Sequence, residues 1–584
     1  MDLIRRTLSA RIHIPGLTAA NDIVSGLTGL GRLLFFFFAG LLVASSIALV
    51  CMASKNFLVE VPAAGGSITE GDVGAPRFIN PLLALSEADR DVVALVYSGL
   101  LRATPEGTFI ADLAESYSIS EDGRTYSFTL RPDATFHDGT PVTVDDIVYT
   151  VERAQDPAIK SPKRANWDGV TVEKINDREV TFTLRAPYAP FISNATMGIL
   201  PKHLWEEVSA EEFPFSNLNT EAIGTGPYFI SSVSRNASGI PDTYQLSPFS
   251  DYALGKPYLS RITLRFYESE DELISALSRG EVEAASGLTP AKLSSLPEGT
   301  SIRRAPLNRV FGVFFNQNQS EVLREPEVRT ALSQAIDREA LVSEVLESYA
   351  TPINEPLPPG IAPASPTPVA VATTSPSAAA RAYLEARGWK YDDNLGALAR
   401  KKGKTTEVLR FTLATADVPE LRAAAEFVRA AWKQAGADVE VKIFESGDLN
   451  QNVIRPRKYD ALLFGEIVGR ELDLFAFWHS SQRNDPGLNI ALYANATSDN
   501  LLEELRVAQS ASERRSLYEK FRTELAKDTP AVFLYAPDFT YAFPNHIEGM
   551  QLTAISQPSE RFLDVYRWHR EVDLVWTFLT RFTQ

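Results

Sequence analysis

Alternation of apolar and polar side chains marks the first elements of the chain. Arg124–Arg131 reads RTYSFTLR, with Tyr126, Phe128 and Leu130 against Thr125, Ser127 and Thr129, and Glu179–Arg185 (EVTFTLR) repeats the period with Val180, Phe182 and Leu184. A period of two predicts half-buried strands. Between them, HDGT at His137–Thr140 predicts a turn, because Asp-Gly favours positive φ. Thr143 and Asp146 then form a capping-box pattern ahead of a helix with Ile147, Val148 and Val151 on one face. Further on the period lengthens. Val328, Ala331, Leu332, Ala335 and Ile336 follow Pro326, and Leu421, Ala424, Ala425, Val428, Ala431 and Trp432 follow Pro419 and stop at Gly436, which predicts two helices. DVEVKIF (Asp438–Phe444) and YDALLF (Tyr459–Phe464) predict strands beside them, so helices and sheet pack together in this later part. Residues 351–379 are rich in Pro, Ala, Ser and Thr, carry Glu355 as their one charge, and predict a long surface loop. No period of 20–50 residues repeats, which argues against a solenoid.

One segment has no polar face at all. Leu33–Ala53 is 21 residues without a charge, long enough to cross a hydrocarbon core of about 30 Å as a helix. Arg5, Arg6, Arg11 and Arg32 precede it against Asp2 and Asp22, while Lys55, Glu60, Glu70 and Asp72 follow. Positive charge stays cytoplasmic, so the short N-terminus is expected inside and the rest outside. A cleaved signal peptide is the alternative, although 32 residues before the apolar core is long for one. A lipoprotein reading rests on Cys51, but Val50 stands where a lipid-attachment box wants a small residue. Every version places residues from about 54 onward outside the cytoplasmic membrane. Residues 54–75 begin as a polar, glycine-containing spacer and then enter a strand.

Composition narrows the function classes. At 584 residues the chain should fold as two or three lobes. Its formal charge of −17 becomes −19 once the four arginines and two aspartates before residue 54 are set aside, which argues against a nucleic-acid surface. The single cysteine excludes an intramolecular disulfide and a cysteine zinc cluster. His13, His137, His203, His479, His546 and His569 include no pair four apart, so no zinc-protease helix is expected, and no G-x-S-x-G elbow occurs. Gly403–Thr405 resembles the end of a P-loop, but the glycine needed upstream falls on Leu398, and the surrounding lysines read as a solvated turn. Asp145–Asp146 has the carboxylate pair of a glycosidase but also a capping role. The search favours binding over catalysis: no enzyme, no cofactor and no metal are expected.

The order of motifs resembles the extracellular solute-binding proteins of peptide/nickel ABC importers, family 5, over roughly 75–570. FINPLLA (Phe78–Ala84) and VYSGLL (Val96–Leu101) come first, then the most specific stretch, LAESYSISEDGRTYSFTLRPDATFHDGTPVTVDDIVYTVER (Leu113–Arg153). GTGPYFI (Gly224–Ile230), GEVEAA (Gly280–Ala285), Phe314–Val342, the Trp432–Gly436 helix end, WHSSQ (Trp478–Gln482), Leu492–Leu505 and PAVFLYAP (Pro530–Pro537) follow in order. The resemblance implies an α/β, two-lobed periplasmic-binding-protein-like fold of type II with an extra subdomain, preceded by one N-terminal transmembrane helix. Its expected parts are a cytoplasmic tail (1–32), an anchor (33–53), lobe I (54–97, 223–305 and 540–570), the subdomain (98–222) and lobe II (306–539). Residues 571–584 are expected as a helical tail, from the spacing of Leu574, Val575, Phe578, Leu579 and Phe582.

Family members close two lobes over a ligand and present it to a permease. The resemblance therefore implies a single-pass protein of the bacterial cytoplasmic membrane whose periplasmic part binds peptides as a monomer, with ABC permease subunits as partners and no nucleic acid. In the family's peptide binders an aspartate shortly after a Gly-Trp strand end pairs with the peptide amine. The matching run here is Gly465, Glu466, Ile467, Val468, Gly469, Arg470, Glu471, Leu472, Asp473: Glu466 replaces the tryptophan, Gly469 holds the aspartate's spacing, and Glu471 or Asp473 is left to substitute. Arg470 would meet a carboxylate instead. Trp167 and Trp478 are expected to wall the ligand, with core packing as the rival reading, and Asn316 to supply a polar contact. His479 reads as structural. Other readings stay open: a nickel chelate or sugar as ligand, a ligand-binding sensor or adaptor on the same fold, or a hydrolase of cell-wall peptides.

Overall fold

The computed structural model describes residues 24–359, 375–469, 473–508 and 510–577, in two units: one formed by the two chain ends, up to Ala63 and from Glu571, and one spanning Ala64–Arg570.

In the terminal unit, the apolar run forms a helix, Gly29–Phe57, whose stretch Gly29–Val50 has mean hydropathy 2.6 and no residue buried against protein. That stretch is long and apolar enough to cross a membrane as a helix, the property a signal sequence shares. The helix runs straight into a strand, Leu58–Ala63, which pairs antiparallel with Glu571–Trp576, from Leu58 opposite Trp576 to Ala63 opposite Glu571. Two expectations are corrected here. The start of the expected spacer continues the helix as far as Phe57 and then forms the strand Leu58–Ala63, ahead of the strand Ser67–Val73, and the expected helical tail is a strand as far as Trp576; residues 578–584 lie outside the described residues. Fourteen residues are too few for a stable isolated helix in water, whereas EVDLVW and LVEVPA both alternate, carry β-branched valines and satisfy each other's backbone groups.

In the larger unit, the alternating segments are strands as read. Thr125–Leu130 pairs with Ala114–Ile119 on one side and Glu179–Thr183 on the other, and Thr171–Lys174 completes a four-stranded antiparallel sheet. Tyr126, Phe128, Leu130, Val180 and Phe182 are buried in a first core. The helix Val144–Gln155 lies over it, its start fixed by Asp146, which accepts the Thr143 N–H at 2.8 Å and the Lys202 N–H at 2.8 Å. Asp145 pairs with Lys174 at 3.0 Å, so neither carboxylate of the Asp145–Asp146 pair is arranged for glycoside chemistry. In GTGPY, Gly224 and Gly226 lie flat on the backbone of Val96 and Tyr97, where any Cβ would collide, and the Gly226 N–H donates to the Val96 carbonyl at 2.8 Å.

A twelve-stranded mixed sheet runs through the rest, ten of its strands in the order Asp438–Phe444, Arg410–Ala416, Ala461–Ile467, Arg309–Phe315, Ala531–Ala542, Ala284–Ala285, Ser67–Val73, Arg261–Tyr267, Pro241–Pro248, Tyr228–Arg235, while Ile302–Pro306 and Ala350–Pro352 pair with Ala531–Ala542 off this path. At one end it carries a second core on one face (Val313, Phe315, Leu463) and a third on the other (Val310, Phe314, Leu462), the arrangement of an α/β layer covered on both sides. The helices Pro326–Gln334 and Pro419–Gln434 cover the second core with the residues their spacing marked, including Leu332, Val328, Ala425 and Trp432. Gly403 turns the hairpin between Ala397–Lys402 and Thr405–Val408 at φ 64°, and Lys402 reaches Glu325 at 2.6 Å and Glu407 at 2.9 Å, so the lysine-rich turn is an ion-paired hairpin and not a phosphate loop. The expected loop 351–379 starts in the strand Ala350–Pro352 and gives way to the helix Pro376–Glu385; residues 360–374 lie outside the described residues.

The 12-residue strand Ala531–Ala542 joins the two ends of the sheet. Its first part pairs with Arg309–Phe315 and its last part with Ile302–Pro306, while the chain between those partners crosses at Leu307–Asn308. Deep in the first core, Arg561 ties this strand to two further elements. Its guanidinium holds Glu70 at 2.6 Å and Asp91 at 2.7 Å, and the Tyr541 hydroxyl donates to Glu70 at 2.6 Å. Asp72 lies 3.8 Å from Arg561, and burial together with the neighbouring Asp91 pushes its carboxyl well above the usual range.

Candidate functional site

Trp167 and Trp478 are both buried in hydrophobic cores. Trp167 is 2% exposed and stands edge-on to Phe182 and Phe191, at 5.3 and 5.5 Å between ring centres. Trp478 is fully buried among Phe314, Tyr493 and Phe533 in the third core. Asn316 closes the turn after Arg309–Phe315. Its Nδ2 donates to the Arg457 carbonyl at 2.8 Å, and its Oδ1 accepts the N–H groups of Asn318 and Gln319. All three are packed or hydrogen-bonded within the protein: large rings and a buried amide are the means by which these cores fill and satisfy themselves. His479 stacks on Phe475 at 4.0 Å and shares a hydrogen bond with Ser481 at 2.7 Å.

Glu466 is the penultimate residue of the strand Ala461–Ile467, opposite Val310 and two residues before Val468, whose N–H donates to the Asn308 carbonyl at the crossover. Strand alternation puts it on the same face as Leu462, toward the third core. It is 4% exposed, and neither carboxylate oxygen has a hydrogen-bond partner. Burial alone pushes its carboxyl well above the usual glutamate range, because nothing nearby compensates the charged form for the water it has lost.

Arg470 and Glu471 lie outside the described residues. Asp473, just beyond them, is engaged. Its Oδ2 accepts the Tyr188 hydroxyl at 2.8 Å and faces the Arg506 guanidinium at 3.3 Å, while its Oδ1 accepts the Phe475 N–H at 3.2 Å. Arg506 lies 4.2 Å over the Phe475 ring and 4.8 Å over the Tyr188 ring. Burial and the Asp473 charge together raise the Tyr188 phenol, so it stays a hydrogen-bond donor. Tyr188 packs on the first core and Phe475 on the third, so this cluster bridges the two. A second polar approach lies by the crossover, where Arg309 comes within 3.9 Å of Glu87. The Tyr535 hydroxyl nearby donates to Glu420 at 2.7 Å. Sequence reasoning found Asp473 but missed Tyr188 and Arg506. The one local hint at Tyr188 is an aromatic between two prolines, Pro187 and Pro190, near a strand end. Cavities of about 510 Å³ beside Gln155 and Arg185 and about 460 Å³ beside Tyr267 and Arg279 lie elsewhere, and no candidate residue lines them. Among the described residues, no group of three or more His, Cys, Asp or Glu is placed to hold a metal ion.

The chain was compared with known proteins. Residues 108–485 match the family model described as bacterial extracellular solute-binding proteins, family 5 Middle. Among curated relatives, the oligopeptide-binding protein AppA of Bacillus subtilis is 27% identical over 519 residues, 87% of this chain and 92% of that protein. Among solved structures, the ABC transporter substrate-binding protein CtaP of Listeria monocytogenes superposes with a TM-score of 0.72 at 27% identity, covering 87% of this chain and all of that one. NikZ of Campylobacter jejuni in complex with Ni(L-His) superposes with a TM-score of 0.66 at 25% identity, covering 86% of this chain and 99% of that one. The α/β fold is that of the type II periplasmic binding proteins, and the chain belongs to the bacterial extracellular solute-binding proteins, family 5.

Proposed function

We propose that this chain is the membrane-anchored substrate-binding component of an ABC importer. It captures peptides in a cleft between two lobes and hands them to a permease in the same membrane. The observation that carries the mechanical part is the double crossing at Leu307–Asn308 and within Ala531–Ala542, beside a polar bridge of a few side chains, Tyr188, Asp473 and Arg506. Two short crossovers can bend, and a small polar contact can open and re-form, which a continuous apolar interface could not. Gly29–Val50 supports anchoring, by its length and its all-round apolar surface.

Peptide is favoured as the ligand because the match to an oligopeptide-binding relative spans 92% of that protein, and AppA of Bacillus subtilis was solved in complex with a nonapeptide. Asp473 is the acceptor for a peptide amine in this reading. The amine would take the place of the Tyr188 hydroxyl and leave Arg506 to hold the carboxylate. Glu466, a buried acid where the family's peptide binders have tryptophan, would shape the neighbouring wall. Mass spectrometry of small molecules released from the full chain, purified from membranes, tests the ligand class. Short peptides are expected; a nickel chelate or a sugar in their place would overturn the peptide assignment.

A further inference from the structure

The two strands of the terminal unit do more than join chain ends. Residues directly opposite in an antiparallel pair share a face, so the pairing groups Leu58 with Trp576, Glu60 with Leu574, and Pro62 with Val572. On that face Val572 is 45%, Leu574 62% and Trp576 36% exposed, while Glu571 and Asp573 point to the other. The apolar row therefore grows in bulk toward one end of the ribbon, the end with Trp576. At that end the Thr577 N–H donates to the Phe57 carbonyl at 2.9 Å, which fixes the C-terminal strand to the last residue of the apolar helix.

Helix geometry then sets the depth of Trp576. Phe57 is four residues past Ala53, the last residue of the charge-free run, which is about 6 Å of helix. The headgroup layer on each side of a bilayer is about 5–8 Å thick. An exposed indole held beside Phe57 lies within that layer, where tryptophan is favoured because its ring is apolar and its N–H is wet.

We infer that the strand Glu571–Trp576 returns to the membrane surface, with Trp576 seated among lipid headgroups as a second contact beside the spanning helix. This rests on the anchored reading proposed above. The six other tryptophans are between 0% and 2% exposed in the larger unit, so lipid-borne quenchers reach Trp576 alone. The full chain would be reconstituted in phosphatidylcholine vesicles with and without a headgroup spin-labelled lipid. The expected result is a loss of tryptophan emission on the order of one part in seven, from the seven tryptophans present, and disappearance of that loss in Trp576→Phe. Equal emission with and without the label, in protein that floats with the vesicles, would overturn the inference and leave the anchor standing. Protein that fails to float would overturn both. Emission blind to the label but shifted by a co-reconstituted transporter would assign Trp576 to a protein partner and overturn the lipid contact.

Discussion

Glu466 offers the sharpest test of how the candidate site is built. A buried polar group without a partner costs about 1–3 kcal/mol, and Glu466 has two such oxygens facing the third core. Its carboxyl binds its proton more tightly in the folded chain than in the unfolded one, where the ordinary value is about 4.3. Between those two values the folded state holds more protons than the unfolded state, so stability falls as pH rises. The stabilisation from the bound proton is complete below the unfolded value, and the decline stops once pH passes the folded value. Each pH unit in that window removes about 1.4 kcal/mol. Glu466→Gln removes the titration and keeps the shape. Urea unfolding of wild type and variant at pH 5 and 7.5, followed by tryptophan fluorescence, should show the variant gaining on wild type as pH rises across that interval. Glu466→Met, which removes the unpaired oxygens altogether, should exceed wild type at pH 7.5 by about 1–3 kcal/mol. Parallel pH profiles for wild type and Glu466→Gln would refute the reasoning, since they would mean that the carboxyl finds water or a partner in solution.

Further expectations concern the bridge and the first core. Tyr188→Phe removes the donor to Asp473 without changing the ring over Arg506; scattering on the ligand-free protein should shift toward a larger radius, and an unchanged profile would show that the hydrogen bond does not hold the lobes. Arg561→Met leaves Glu70 and Asp91 buried without their cation and should destabilise by about 3–5 kcal/mol in thermal unfolding. A loss below about 1 kcal/mol would mean that both acids simply take up protons.

What could be read from the sequence follows a physical division. Periodicity reports which side of a single element is buried, so Tyr126, Phe128 and Leu130, or Leu421, Val428 and Trp432, were legible at once. It does not report what a residue meets across the molecule. Trp167 and Trp478 have the bulk of ligand platforms and of core fillers alike, and only their neighbours decide: Phe182 and Phe191 for one, Phe314 and Phe533 for the other. Tyr188 and Asp473 are 285 residues apart, beyond any spacing rule. The tail failed for a related reason. Leu574, Val575, Phe578 and Leu579 satisfy a helical period while Val572, Leu574 and Trp576 satisfy a strand period, and the tie is broken by a partner strand at the other end of the chain.

The bridge also limits how the proposed closure can work. Moving a two-state equilibrium from 1:99 to 99:1 takes about 5.5 kcal/mol of differential affinity. One hydrogen bond from Tyr188 to the Asp473 carboxylate supplies about 1.5–3 kcal/mol, and the partly exposed Arg506 pair about 0–1 kcal/mol. Together these fall short of what would lock an empty protein shut, and they are large enough to bias it. A peptide amine that displaced the Tyr188 hydroxyl would give up that bias and replace a neutral donor by a charged one. Its gain at Asp473 is therefore a difference between two hydrogen bonds, and most of the closing energy must come from backbone contacts along the peptide. Binding should accordingly depend weakly on side-chain sequence and only modestly, though measurably, on a free amino terminus. An N-acetylated peptide that bound the protein as tightly as its free-amine form would remove Asp473 from the role assigned to it here.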